Sequence, residues 1–397
     1  MTKSKFREFL FEAKYRTGLL AVAATVAVFL YMGVGAVAQS KSTLSALPPT
    51  PQAPKDNPTT PAKVALGRLL FWDPLLSGPQ DVACASCHHP QNGYAEDRDL
   101  SLGVTAIGLG SKRRQAPGSS IPIVKRNSPT VVNIAFSGSD ESGRYDPATA
   151  PMFWDLRVKS LEKQALEPLK AHEEMRGTTY KEDEAVASVV AKLQANAEYR
   201  SLFAGAFGSA QPVNAENLGR AIAAFERTLL ANNSPFDRYM RGDRSAMTEE
   251  QVSGMRRFES VGCVKCHNGP MFSDYKLHVM GVPDNPALPA SDDGAEKTYA
   301  FRTASLRNLT FTAPYEHNGM FRTLSDVVGF YEDARGGRSR NPNVSSEKLD
   351  PLIRELGDFD EEDVDLVEFL RALSDDSFDK TIPERVPSGL PVGGKIQ

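Results

Sequence analysis

The sequence predicts a mainly α-helical protein built in two halves, and three observations carry that prediction. Seven segments space their apolar residues at the period of a helix: residues 61–72, 159–166, 183–196, 215–231, 249–261, 324–332 and 361–373. Strand signals are few and short, with loops rich in Gly, Pro and Asn between the periodic segments. The four cysteines fall in two C-x-x-C-H motifs, Cys84 and Cys87 before His88 and Cys263 and Cys266 before His267, one in each half.

At 397 residues, 41% apolar and 24% charged, the chain has material for one large domain or two ordinary ones. Its net charge is -4, and removing the basic first segment makes the remainder more acidic, which excludes nucleic acid as a natural partner. Residues 19–38 form an almost unbroken apolar run after Lys3, Lys5, Arg7, Lys14 and Arg16, the pattern of an export signal. Ala36-Val37-Ala38 before Gln39 suits cleavage, but about 20 apolar residues also span a bilayer, so segment 1–38 is read as a signal peptide or a membrane anchor. Either way the expected location is the periplasm. Residues 39–60, rich in Pro, Ser and Thr, read as a linker too polar to offset its own ordering entropy.

Four cysteines in an exported chain suggest two disulfides or a zinc site by default. Neither fits two C-x-x-C pairs that are each followed at once by histidine. That spacing is the attachment pattern of c-type haem, with two thioethers to the porphyrin and the adjacent imidazole below the iron. The chain is therefore expected to carry two haem c groups, held by Cys84, Cys87 and His88 and by Cys263, Cys266 and His267. Thr248 to Gln251 forms a capping box for the helix that runs into Cys263. Thr323 to Asp326 opens another, whose apolar stripe Leu324, Val327, Val328, Tyr331 turns Tyr331 inward.

From about Lys63 to Leu373 the chain resembles the bacterial di-haem cytochrome c peroxidase and MauG family, closest in its features to the MauG-like branch. The resemblance rests on both C-x-x-C-H motifs and on LGRLLFWDPLLS, RNSPTVVN, FWDLR, FERTLLANNSPFDRY, FRTASLRNLTFTAPYEHNG and TLSDVVGFY, in the family's order. It implies two cytochrome c-like helical domains facing each other: an N-terminal, peroxide-reacting domain at 61–230 and an electron-transfer domain at 231–355. A C-terminal helix at 356–380 would pack back on the first domain, ahead of a tail at 381–397. It also implies a calcium ion between the domains, held by the side chain of Asn127 and the carbonyls of Thr312 and Pro314, hard oxygen donors that suit that ion.

Peroxide chemistry needs an iron with one open axial face. No histidine lies between His89 and His172, and Leu109 stands where many members of the family carry a distal histidine, so the first haem is expected to be open. Glu174, in His172-Glu173-Glu174-Met175, resembles the family's distal glutamate and is the expected acid–base group. Trp154 matches the tryptophan between the family's haems, and Arg157 is a candidate partner for a propionate or carboxylate. Tyr331 is the expected second axial ligand of the second haem, in competition with Met320, Met271 and Met280. The reaction implied is reduction of hydrogen peroxide with electrons from a periplasmic donor, a small cytochrome or a cupredoxin. Two alternatives stay open: oxidation of residues in a partner protein, as in MauG, and a non-enzymatic di-haem carrier or sensor. Val261 stands where MauG has an exit tryptophan, so its specific maturation reaction is not carried over. Oligomeric state is not legible.

Overall fold

Thr60 starts the first helix, α1 (Pro61–Trp72), by accepting the Lys63 amide on its side chain, with Pro61 placed where no amide hydrogen is needed. The computed structural model describes residues 43–208 and 210–397; the apolar run at 19–38 lies outside the described residues. The first half continues with α2 (Cys84–Cys87), α3 (Leu161–Gln164), α4 (Ala185–Ala195), α5 (Ala197–Phe207) and α6 (Ala215–Glu226). Helix α1 lies along α6. Gly67 permits that approach, because a Cβ there would fall 2.0 Å from the Ala221 carbonyl oxygen. Leu66, Leu70, Leu193, Tyr199, Phe203 and Leu218 close the core between these helices.

Two elements depart from the sequence expectation for local reasons. Asn196 ends α4 and its side chain accepts the Tyr199 amide, so it also caps α5; with no Gly or Pro between them, α5 escaped notice. The helix expected over 159–166 shrinks to Leu161–Gln164 because Val158–Lys159 pairs antiparallel with Pro151–Met152. That ladder and two others, Ala106–Ile107 with Arg114–Gln115 and Leu277–His278 with Phe301–Arg302, make up the described sheet.

The second half contains α7 (Pro235–Met240), α8 (Glu249–Ser260), α9 (Leu324–Arg335) and α10 (Val364–Ala372). Both expected capping boxes form, Thr248 with Gln251 and Thr323 with Asp326. Helix α10 corrects one expectation: it packs on α8, in the second half, and not back on the first. Leu366, Phe369 and Leu370 meet Phe258 and Phe272 there, and Gly254 leaves room for the Asp365 carbonyl. Burying Phe369 alone contributes roughly 1.5–3 kcal/mol.

What returns to the first half is the chain after that helix, from Phe378 onward. Phe378 packs on Tyr94, Val386 is buried, Ser388 donates to Asp73 (2.6 Å), and Gly393 donates to the Trp72 carbonyl (2.8 Å). The described part of the expected linker, 43–60, is likewise fixed. Leu44 and Leu47 are buried, Thr43 accepts the Gly269 amide beside the second motif, and the Leu47 amide donates to Asp237 (2.9 Å). Its polar composition is no bar, because its backbone groups are satisfied by the folded halves. Asp237 also forms a fully buried pair with Arg307 at 2.8 Å.

Candidate functional site

Each motif places two thiols on one turn and an imidazole with one nitrogen committed. His88 Nδ1 lies 3.1 Å from the Tyr94 carbonyl oxygen and His267 Nδ1 2.9 Å from that of Phe272. A carbonyl only accepts, so Nδ1 carries the hydrogen in both rings and Nε2 is left as the ligand atom. Burial lowers both imidazole pKa values and keeps the rings neutral, as metal ligation requires. All four thiols are unpaired. A cavity of ≈ 260 Å³ opens beside His267, walled by Cys263, Cys266, Leu324, Val328 and Tyr331. Paired thiols, an oriented imidazole and apolar walls fit a covalently bound haem.

Glu174 sits in a π-helical turn, His172–Arg176, a local geometry that re-aims a side chain out of the regular helical register. The turn is packed against the loop after the first motif: the Val104 amide donates to the Glu174 carbonyl at 2.9 Å. Gly103 has no room for a side chain, since a Cβ would lie 2.1 Å and 2.2 Å from the carbonyl oxygens of Glu173 and Glu174. Burial pushes the Glu174 carboxyl up to about 7, Glu173 adds to the rise, and Arg157 opposes it. The same carboxyl also pushes the Cys84 and Cys87 thiols upward. Arg157 has a carboxylate partner, Asp155 at 2.8 Å, and its guanidinium stacks 3.7 Å over the Phe153 ring.

Two neighbours bear on whether the first iron can be open. His89 is buried with its ring edge-on to Trp72, and its Nδ1 accepts the Gln91 amide. Leu109 starts a 3₁₀ turn, and Gly108 beside it donates to the Lys395 carbonyl at 2.8 Å.

Trp154 is buried and donates from Nε1 to the Asn127 carbonyl at 3.1 Å. Ser128, next in sequence, places its Oγ 3.3 Å from His88 Nε2, while Trp154 itself lines the cavity that holds His267. The indole is thus tied to the Asn127–Ser128 stretch that reaches His88 and forms part of the wall of the cavity that His267 lines. Phe153 and Leu156 on either side have φ of +67° and +58°, a left-handed backbone that L residues seldom adopt and that the surroundings must enforce. The three calcium candidates line the same cavity. Asn127 donates through Nδ2 to the Arg98 carbonyl (2.9 Å), which reserves Oδ1 as the oxygen a hard cation would take.

Tyr331 faces the same cavity, and its phenol is pushed upward by burial, then by Glu316, Cys266 and Cys263. Met271 and Met280 share that cavity; Met271 packs into a separate cluster with Leu47 and Phe136, whereas Met280 and Met320 both pack in the cluster that includes Tyr331, Met320 outside the cavity lining.

Sequence reasoning missed several buried polar groups. Glu96 is 1% exposed with neither carboxylate oxygen bonded, and burial raises it to about 7. Glu226, raised by burial to about 8, also pushes up the Cys84 thiol, and the half-buried Glu316, raised by burial to about 7, pushes up the Tyr331 phenol. His317 stacks on Phe301 at 3.6 Å and stands edge-on to Trp154. Glu226, Glu316 and His317 stand in quoted motif blocks, FERTLL and TAPYEHNG, where a polar residue amid apolar ones was the available signal.

Two thiol–imidazole turns and a half-buried carboxyl packed against the loop after the first of them are the groups that a haem-dependent oxidoreductase acting on peroxide requires. A family model described as di-haem cytochrome c peroxidase matches residues 61–245. The cytochrome-c peroxidase IdrP1 of Pseudomonas sp. (strain SCT) is 35% identical over 367 residues, covering 83% of this chain and 85% of that protein. The methylamine utilization protein MauG of Methylorubrum extorquens is 34% identical over 337 residues, covering 83% of each chain. Among solved structures, a MauG-like protein associated with microbial copper homeostasis superposes with a TM-score of 0.66 at 27% identity, covering 84% of this chain and 95% of that one. The chain belongs to the di-haem cytochrome c peroxidase family, which implies haem c as its cofactor.

Proposed function

We propose that this protein reduces hydrogen peroxide at the haem held by Cys84, Cys87 and His88, with the haem of Cys263, Cys266 and His267 as its redox partner. The observation that carries the reading is the pairing of an oriented proximal imidazole with a half-buried carboxyl, Glu174, poised near neutrality, under a loop without histidine. Bound haem supplies the iron that peroxide coordinates and the electrons that cleave its O–O bond. Glu174 takes the proton from the oxygen nearer the iron and delivers it to the departing oxygen, which leaves as water. Reduction to two waters consumes two electrons and two protons.

The electrons cross the region of Trp154, whose indole is fixed by the Asn127 carbonyl. Tyr331 would help hold the second haem together with His267, and its phenolate would favour the more oxidised iron when that group is bound. Calcium held by Asn127 Oδ1 and the carbonyls of Thr312 and Pro314 would fix the same strand of contacts that holds Trp154. The donor is a periplasmic cytochrome or cupredoxin, reached after export by segment 1–38. A second reading, oxidation of residues in a partner protein, is supported by the likeness to MauG and by Tyr331 at the cavity beside His267. Purified diferric protein is mixed with peroxide and then with reduced small cytochromes, cupredoxins or candidate protein substrates. Turnover with a soluble donor supports peroxidase action, and covalent change in a partner supports the second reading. No reaction of the haems with peroxide contradicts both.

A further inference from the structure

Arg113 belongs to none of the motifs that define the site, yet it is 2% exposed and all three of its guanidinium nitrogens are used. Nε donates to the Leu102 carbonyl at 2.6 Å, Nη1 to that of Gly108 at 2.9 Å and Nη2 to that of Gly103 at 3.1 Å. A planar fork with fixed donor directions holds three carbonyls in one mutual arrangement, which a single ammonium cannot do.

The three carbonyls belong to the segment between the first motif and the Glu174 turn. The Leu102 oxygen lies 3.9 Å from Cys87 Sγ. Gly103 abuts the Glu173 and Glu174 carbonyls, and the Val104 amide bonds that of Glu174 at 2.9 Å. On the outer side, Thr105 donates to Asp81 Oδ2 at 2.9 Å and Gly108 donates to the Lys395 carbonyl at 2.8 Å. The Lys395 amide donates in turn to the Asp81 carbonyl at 2.9 Å. The segment is thus gripped from inside by Arg113 and from outside by the C-terminal tail.

We propose that Arg113 is a positioning residue for peroxide reduction: it sets residues 102–108 as a brace that holds the Glu174 turn at a fixed distance from the Cys87 side of the first haem. The inference rests on Glu174 as the acid–base group. It also explains why the last residues of the chain are tied to the first motif, where the Ser86 hydroxyl donates to the Gly393 carbonyl at 2.8 Å.

The test compares Arg113→Ala, Arg113→Lys and a chain ending at Pro391 with the intact haem-loaded protein. Hydrogen–deuterium exchange is read over 100–110 and 172–177, and the rate of the diferric protein with peroxide is read against pH. A displacement of about 1 Å at an acting group costs about a hundredfold in rate. Arg113→Ala is expected to lose about that much, to shift the pH midpoint set by Glu174 and to speed exchange in both segments at unchanged haem content. Arg113→Lys should recover little. In a Glu174→Gln background Arg113→Ala should cost nothing further, because the brace acts through that carboxyl. Should Arg113→Ala not fold, the truncated chain carries the test, with faster exchange at 172–177 and a slower reaction expected. Exchange at 172–177 and a pH profile unchanged from the intact protein, in whichever variant folds, would overturn the proposal. If Glu174→Gln itself reacts at the intact rate, the acid–base assignment fails instead.

Discussion

Substituting Gly103 by alanine tests whether the distance between the peroxide-side loop and Glu174 matters. The added Cβ would lie 2.1 Å and 2.2 Å from the carbonyl oxygens of Glu173 and Glu174 and 2.6 Å from the Glu174 Cα. Real Cβ contacts below 3.0 Å essentially do not occur, so backbone must retreat by about 1 Å, and the atoms in the way belong to the turn that carries the carboxyl. Overpacking of this kind costs about 1–3 kcal/mol, and a 1 Å displacement of an acting group costs about a hundredfold in rate. Gly103→Ala is therefore expected to keep both haems, to melt several degrees lower, and to react with peroxide about a hundredfold more slowly. Stopped-flow absorbance of the diferric variant, alongside its thermal melt, measures both effects. Intact peroxide kinetics in a destabilised variant would show that the Glu174 turn is packing alone and refute the reasoning.

The same logic extends to single groups. Glu174→Gln should retain its haem content and slow the peroxide reaction by roughly 10²–10⁴. In the intact protein the carboxyl must be ionised to take a proton, and burial has raised it to about 7. The rate should therefore rise with pH through that value, level off above it, and lose this limb in the variant. Tyr331→Phe should abolish the low-spin signature of a phenolate-ligated haem in the electron paramagnetic resonance spectrum; an unchanged spectrum would pass the assignment to a methionine, Met280 and Met320 being those that pack in its cluster. Asp237→Ala leaves the Arg307 guanidinium buried without its carboxylate and should destabilise the fold by about 3–5 kcal/mol in chemical denaturation.

The sequence carried the haem motifs and most helices because both are written locally. A C-x-x-C-H run and a Thr248 or Thr323 capping box need no tertiary partner to be recognised, and both boxes form. Helix α10 was placed in sequence but sent to the wrong half, since its amphipathic stripe says that it packs and not upon what; Gly254 of α8 decides that. Residues 43–60 read as a linker by composition, yet their amides and carbonyls find partners such as Asp237 that no local pattern reveals. Arg113 and Glu96 were invisible for the same reason: their meaning lies in which distant carbonyls or thiols surround them. Trp154, by contrast, was legible from the FWDLR resemblance and from its rarity as one of two tryptophans, and its indole is fixed by the Asn127 carbonyl at the wall of the cavity beside His267.

The most direct measurement is rapid mixing of the purified, fully oxidised protein with one equivalent of hydrogen peroxide, followed by optical and electron paramagnetic resonance spectroscopy. An open first haem and a closed second one predict a resting spectrum with one high-spin and one low-spin signal, and a peroxide reaction that perturbs both. A wholly low-spin resting spectrum that peroxide leaves unchanged would contradict the account.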